Sequence, residues 1–269
     1  MRDEQEHPLT PPTMRLRTHS YSLLAALALA ALPTTSLHRD ASAQSDRRTL
    51  TGSTVAIYDL AGRVTIEVGT GNDVVVEITR HGADAGKLSV DVGTVDGRNT
   101  LRVIYPDDDI IYPDMNRRGN WDFTIDRDGR WSGSRSDRWG SSRRYRVKSS
   151  GRGTEAWADL KVLIPPGKRV DVNIGVGEAV STNVAGDLSI DVASASVTVN
   201  GHKGSLHLDT GSGRVDVRDV TGADEFSSDA GSGTVTVRNA TARVMRLDSG
   251  SGGLQADNLT ADELTVDVG

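Results

Sequence analysis

The chain has 269 residues, 31 Lys/Arg against 37 Asp/Glu for a net charge of −6, and 29 glycines, but no cysteine at all. Without cysteine it can form no disulfide, carry no cysteine-linked lipid anchor and use no thiolate nucleophile. Abundant glycine with only 4% aromatic residues suits frequent turns around a core too narrow for large rings, the profile of an all-β protein.

In chain order, Met1 to Thr13 is polar and proline-bearing, and Met14 offers a second start. Arg15, Arg17 and His19 are followed by an apolar run from Leu23 to Leu32, then Pro33, then the small-residue run Ala41-Ser42-Ala43. This is the order of a secretory signal, and the run is too short to span a bilayer, so residues 1–43 are expected to be removed before Gln44 with no transmembrane anchor left behind.

Residues 44–112 read as a strand-rich N-terminal part. It contains Val55 to Tyr58, Val64 to Val68, Val74 to Ile78, Leu88 to Val92 and Leu101 to Tyr105, and Gly69 to Asp73 is a hairpin turn or a first coil bend. Residues 113–153 differ sharply. Eleven Lys/Arg face five Asp there, tryptophans recur among Arg, Gly and Ser, and no period persists, so this insertion is expected to be a surface loop or disordered.

From residue 154 onward strand signals return, and one phrase then repeats: Asn173 to Gly177, Asp191 to Ala195, Asp209 to Gly213, Asp229 to Gly233, Asp248 to Gly252 and Asp267 onward, in steps of 18 to 20 residues. Apolar residues flank it at spacing two, as in Leu206 and Leu208 before it and Val215 and Val217 after it. Spacing of two marks strands with one buried face, and a lone repeat cannot bury that face. Stacking about 4.8 Å apart can, so the pattern predicts a parallel, right-handed β-solenoid of about 19-residue coils over residues 154–269. The sixth phrase is cut short at Gly269, which predicts either a further coil beyond it or end-to-end self-association.

Val64-Thr-Ile-Glu-Val68, Val74-Val-Val-Glu-Ile78, Leu160-Lys-Val-Leu-Ile-Pro-Pro-Gly167 and the repeated Asp-x-Gly-Ser-Gly-x-Val-x-Val together resemble the bacterial putative-adhesin family of β-strand repeat proteins. The resemblance covers about residues 50–112 and 154–269. It implies an exported protein built from such repeats, without catalytic residues to carry over, and it leaves the Arg/Trp insertion unaccounted for.

The recurring Asp191, Asp209, Asp229 and Asp248 form a structural turn ladder with Gly211, Gly213, Gly231, Gly233, Gly250 and Gly252. Each carboxylate is expected to accept backbone N–H groups of its own turn, and each glycine to supply positive φ. The calcium-roll phrase is missing, so neither a metal nor another cofactor is expected. No Gly-x-Ser-x-Gly elbow occurs, and His202 and His207 share no strand face, so no catalytic residue is assigned. The partner-like composition lies in the insertion. Arg117, Arg118, Arg130, Arg138, Arg143 and Arg144, interleaved with Trp121, Trp131 and Trp139, could hold an anionic polysaccharide or another cell-envelope component, outside the cell and therefore not nucleic acid. The sequence thus reads as a non-catalytic exported adhesin, scaffold or binding module, periplasmic, surface-held or secreted. The alternative is a polysaccharide-active β-helix lyase or hydrolase.

Overall fold

The computed structural model describes residues 44–115, 119–125 and 143–269. The expected signal segment, residues 1–43, lies outside them, and the described residues form one compact unit. Fifteen strands are described: β1 Gln44–Leu50, β2 Thr54–Val68, β3 Val74–His81, β4 Ser89–Val95, β5 Arg98–Ile104, β6 Asp109–Ile111, β7 Asn120–Ile125, β8 Arg143–Lys148, β9 Thr154–Glu155, β10 Trp157–Ile164, β11 Lys168–Lys203, β12 Leu206–Ser212, β13 Val215–Ser232, β14 Val235–Ser249 and β15 Leu254–Val268. A single 3-10 turn at Ala85–Lys87 is the helical content among the described residues. The protein is all-β.

Eleven strands form one large mixed sheet, in the order β1-β3-β10-β2-β11-β12-β13-β14-β15, with β5 also paired to β2 and β4 to β5. The repeats pair in parallel, each with its copy one repeat along: Leu188 with Leu206, Leu206 with Phe226, Phe226 with Met245, and Met245 with Leu264. The second half of each repeat does likewise, placing Val199, Val217 and Val237 side by side. All three are fully buried, whereas Arg218 beside them is exposed, so inward and outward rows alternate as period two requires. Phe226 and Ser228, the register partners of Leu206 and Leu208, also point inward, and the Ser228 hydroxyl is buried without a hydrogen-bond partner. On β15 the same row, Leu264, Val266 and Val268, is about half exposed.

Strand β2 lies on β11 in parallel register, Thr54 through Glu67 on Arg169 through Thr182, so it occupies the rung before the first repeat. Residues 69–167 leave that rung and return to it. The turn Gly69 to Asp73 is a bend rather than a hairpin, because β10 runs between β2 and β3, parallel to the first and antiparallel to the second. The Gly69 N–H is held by Ile164 O at 2.8 Å, which fixes the bend to β10.

Within the insertion, β7 and β8 pair antiparallel and join β6 and β9 in a four-stranded sheet, β7-β8-β6-β9. The apolar row is short: Phe123 faces Tyr145 and Trp121 faces Val147, with Phe123, Tyr145 and Val147 buried. Charged residues on the alternate positions hide that two-residue period in the sequence.

Candidate functional site

The repeat phrase builds a wall of very small residues. In each repeat the second glycine sits where the neighbouring backbone passes closest: a Cβ on Gly213 would lie 1.9 Å from Ala195 O, and one on Gly233 1.7 Å from Gly213 O. Glycine is required there by close approach of two stacked backbones, a different reason from the positive φ expected of the whole ladder. Gly211, Gly231, Gly233, Gly250 and Gly252 do not have positive φ, whereas Gly213 does, at 155°. Between the glycines stand serines in register, Ser194 with Ser212 and Ser212 with Ser232, and the Ser212 hydroxyl donates to the Ser194 hydroxyl at 3.4 Å. The result is a ladder of hydroxyls, one per repeat.

The aspartates stack as well. Asp191, Asp209, Asp229, Asp248 and Asp267 are successive register partners. They face outward beside the buried rows, and no backbone N–H of their own turns is hydrogen-bonded to the carboxylates of Asp191, Asp209, Asp229 or Asp248. Like charges one rung apart meet instead: partial burial, reinforced by Asp209, pushes the Asp191 carboxyl up to about 6. Asn173 occupies the first rung, and its amide donates to Ile57 O at 3.2 Å.

Positive φ occurs at the opposite corner, where sequence reasoning placed no ladder. Asn183, Asp219, Asn239 and Asn258 have φ between 54° and 59°, and Gly201 has φ 73°. These residues recur in steps of 18, 18, 20 and 19, the steps of the main phrase, and that was the signal available in the sequence. Asn and Asp tolerate the left-handed region by bonding locally. Here they bond to each other: Asn239 Nδ2 donates to Asp219 Oδ1 at 3.0 Å and Asn258 Nδ2 to Asn239 Oδ1 at 2.9 Å. Next to this corner His202 is 2% exposed, its Nε2 bonded to Ser205 O at 3.1 Å and its Nδ1 without a partner; burial holds the ring below its ordinary pKa.

The serine ladder faces a groove of about 460 Å³, lined across from it by Met115 and Trp121 of the inserted segment. Trp121 is half-buried and packs against the core, so its ring is held in place. The groove adjoins two further recesses. Ser196 is shared with one of about 470 Å³ that is lined by Arg63, Tyr112, Asp114, Asp159 and Glu178. Met115 is shared with another of about 790 Å³ that reaches Asn120, Arg146 and Lys148.

Ion pairs hold the cations of the two adjoining recesses, whereas Arg214 lines the groove itself. Arg63 Nη2 lies 2.8 Å from Glu178 Oε2, Arg146 Nε 2.8 Å from Asp122 Oδ1, and Lys148 Nζ 3.0 Å from Asp109 Oδ1. Arg143 pairs with Asp108, donates to Pro106 O and lies 5.0 Å over the Tyr145 ring. Behind the acidic recess Asp159 accepts the Arg63 N–H at 3.0 Å and lies 3.1 Å from His81 Nε2, while His81 stacks on Trp157. Deeper still, Asp59 is 1% exposed and receives the Tyr105 hydroxyl at 2.8 Å; burial, offset only in part by hydrogen bonds from Tyr105 and from the Ala61 and Leu60 backbone, raises its carboxyl well above the usual range.

Of the residues singled out from the insertion, Trp121 lines the groove and Arg143 and Arg144 open β8 with exposed side chains. Arg117, Arg118, Arg130, Trp131, Arg138 and Trp139 lie outside the described residues. Among the described residues no group of three His, Asp or Glu is arranged to hold a metal ion, and no helix is long and apolar enough to cross a membrane.

Residues 157–269 match the family described as Toastrack DUF4097. No curated protein matches the chain. Two solved structures are similar to it. A putative cell adhesion protein from Clostridium sporogenes has 7% identity over 84% of this chain and 98% of its own, with a TM-score of 0.31. A putative adhesin from Bacteroides fragilis has 12% identity over 84% and 96%, with a TM-score of 0.24.

Proposed function

We propose that this chain is a non-catalytic, exported binding module of the adhesin type, whose repeats form a right-handed β-solenoid and whose working surface is the groove between the serine ladder and Trp121. The observation that carries this is the groove itself. One wall repeats the same small hydroxyl in three successive repeats, and the other carries an aromatic ring fixed by packing. Such walls suit the capture of an extended polymer through many weak, equivalent contacts, and cell-envelope polysaccharide is the ligand that an exported protein would meet. The one-repeat parallel offsets of β11 to β15 support the solenoid reading.

One observation favours a second reading, a polysaccharide-active enzyme. Asp114, Asp159 and Glu178 share a recess with Arg63 and Tyr112, and paired carboxylates are what glycoside hydrolysis uses. Incubating the full chain with a polysaccharide panel and assaying reducing and unsaturated ends separates the two. Binding without turnover, lost when Ser212→Tyr fills the groove, is the expected result. Turnover abolished by Asp159→Asn would replace the binding reading with the enzymatic one.

A further inference from the structure

We propose that the recess beside the groove, lined by Arg63, Tyr112, Asp114, Asp159, Glu178 and Ser196, binds an amino sugar through its free ammonium group and a neighbouring oxygen. This site is distinct from the groove, with which it shares only Ser196 among the lining residues.

Tyr112 is the residue that points to a ligand. It is 5% exposed, its ring is tilted against Trp157 at 5.7 Å, and its N–H donates to Lys148 O at 2.8 Å, so the side chain is fixed before anything binds. Yet its hydroxyl, on the wall of the recess, makes no hydrogen bond among the described residues. Burial, reinforced by Asp159 and Asp114, pushes the phenol well above its ordinary range, so it keeps its proton and remains a donor without an acceptor. A buried O–H left in that state is costly, and a ligand oxygen relieves it.

The charge of the lining selects the other end of the ligand. One guanidinium stands against three carboxylates, a net charge of −2, and the guanidinium is occupied: Arg63 Nη2 lies 2.8 Å from Glu178 Oε2. Asp159 accepts the Arg63 N–H at 3.0 Å and lies 3.1 Å from His81 Nε2, while Asp114 is exposed and has no ion pair among the described residues. A cation is favoured here. No group of three His, Asp or Glu among the described residues is arranged to hold a metal ion, so the cation that fits is polyatomic, as a primary ammonium with its three separate donors is.

An ammonium alone leaves Tyr112 unsatisfied, because it has donors and no acceptor. The Tyr112 proton needs an oxygen on the same ligand, and beside three carboxylates an uncharged hydroxyl or ring oxygen is favoured over a further carboxylate. Amine and oxygen on neighbouring atoms of a compact ring are what an amino sugar presents. The recess, at about 470 Å³, lies within the span of small-molecule sites, about 300–1,000 Å³.

Isothermal titration of the full chain with three probes tests this. The glucosamine trimer carries both groups, the N-acetylglucosamine trimer keeps the oxygens and loses the charge, and spermidine keeps the charge and has no oxygen. At about pH 6.5 and about 50 mM salt the glucosamine trimer should bind at least about tenfold more tightly than either of the others. Tyr112→Phe, which keeps the ring on Trp157, and Asp114→Asn, at an exposed carboxylate, should each weaken it by about threefold to tenfold, the first without changing spermidine binding; Glu263→Gln on β15 should leave it unchanged. Equal affinity for the two trimers overturns ammonium recognition, and spermidine binding as tightly as the glucosamine trimer overturns the amino sugar. Glucosamine-trimer binding that both Tyr112→Phe and Asp114→Asn leave intact, or that Ser212→Tyr in the groove abolishes while they do not, overturns the recess as the site. No binding of the glucosamine trimer overturns the site outright and leaves the groove to its own polysaccharide test.

Discussion

Val217→Asp should come close to unfolding the protein at neutral pH. Val217 is fully buried between Val199 and Val237 of the adjacent repeats, and none of the three has a polar group within its row. Losing a buried valine costs about 1.5–3 kcal/mol. A carboxyl fully buried among apolar side chains has its pKa raised by about 3–5 units, and each unit is worth about 1.4 kcal/mol at a pH where it would otherwise ionise. At pH 7, about three units above an ordinary carboxylate, that penalty is capped at about 4 kcal/mol, so the two together reach about 5–7 kcal/mol, comparable with the whole stability of a typical domain at about 5–15 kcal/mol. Near pH 4 the carboxyl is protonated in the folded state and about half protonated in the unfolded one, so the second part shrinks to under about 1 kcal/mol and much of the loss should be recovered. The control is Arg218→Gln, one residue along and on the opposite face, where only an exposed pair with Asp216 at 3.0 Å is given up and the midpoint should stay close to that of wild type. Urea titrations followed by far-ultraviolet circular dichroism at pH 4 and pH 7 measure all three proteins. Equal midpoints for the two variants, or a Val217→Asp loss that does not shrink at pH 4, would refute the assigned register and the desolvation argument respectively.

Asp191→Asn should stabilise the protein at pH 7 by about 1–2 kcal/mol, after discounting for its partial exposure. The folded carboxyl titrates at about 6, above its unfolded value, so the native state keeps the proton longer; wild-type stability is full below the ordinary carboxylate range and falls as pH rises through 6, a fall the variant removes and that titrations at pH 4 and 7 detect. His202 works in the opposite sense. Its folded pKa is lowered by burial, so its contribution is present above the unfolded value and is lost as pH falls; His202→Gln should flatten that acid limb in melts between pH 7 and 5. Gly233→Ala should cost at least about 3 kcal/mol, since its Cβ would meet a backbone oxygen at 1.7 Å, whereas Gly253→Ala, with nothing within 4 Å, should melt like wild type.

The inward rows were legible in the sequence because Val and Leu recur at spacing two on both sides of a phrase that itself recurs: Val217 and Arg218 lie on the faces that this phase predicts. The reason for the glycines was not legible. Positive φ and close backbone approach select the same residue, and only the three-dimensional structure separates Gly233, crowded by Gly213 O, from Gly222, which has φ 62° and nothing nearer than 3.9 Å. The Asn corner was in plain sight at the repeat period, each residue followed by an apolar one as in Asp219-Val220 and Asn239-Ala240, but a short polar residue inside a strand pattern does not by itself announce a left-handed backbone. Tertiary placement escaped altogether. Asp59 sits in register with Ile174, inside the core, because Tyr105 arrives from a distant strand to bond it. Likewise the groove exists only because the sheet of β6 to β9 brings Trp121 to face serines some 70 to 110 positions later in the chain.

The pairing of β2 with β11 has a consequence for how the molecule is made. Asn173 bonds Ile57 across 116 positions, and the apolar row Val55, Ile57, Val64 and Ile66 is fully buried only once that partner is in place. A chain that emerges N-terminus first, at about 5–20 residues per second, leaves this row uncovered for about 6 to 23 seconds while the intervening hundred residues follow. The repeats beyond it each need only the neighbour just before them. Synthesis therefore divides into one long wait and then a rapid zippering, and the N-terminal rung is the segment whose protection by a holding chaperone, or whose mispairing with another nascent copy, decides the yield of folded protein.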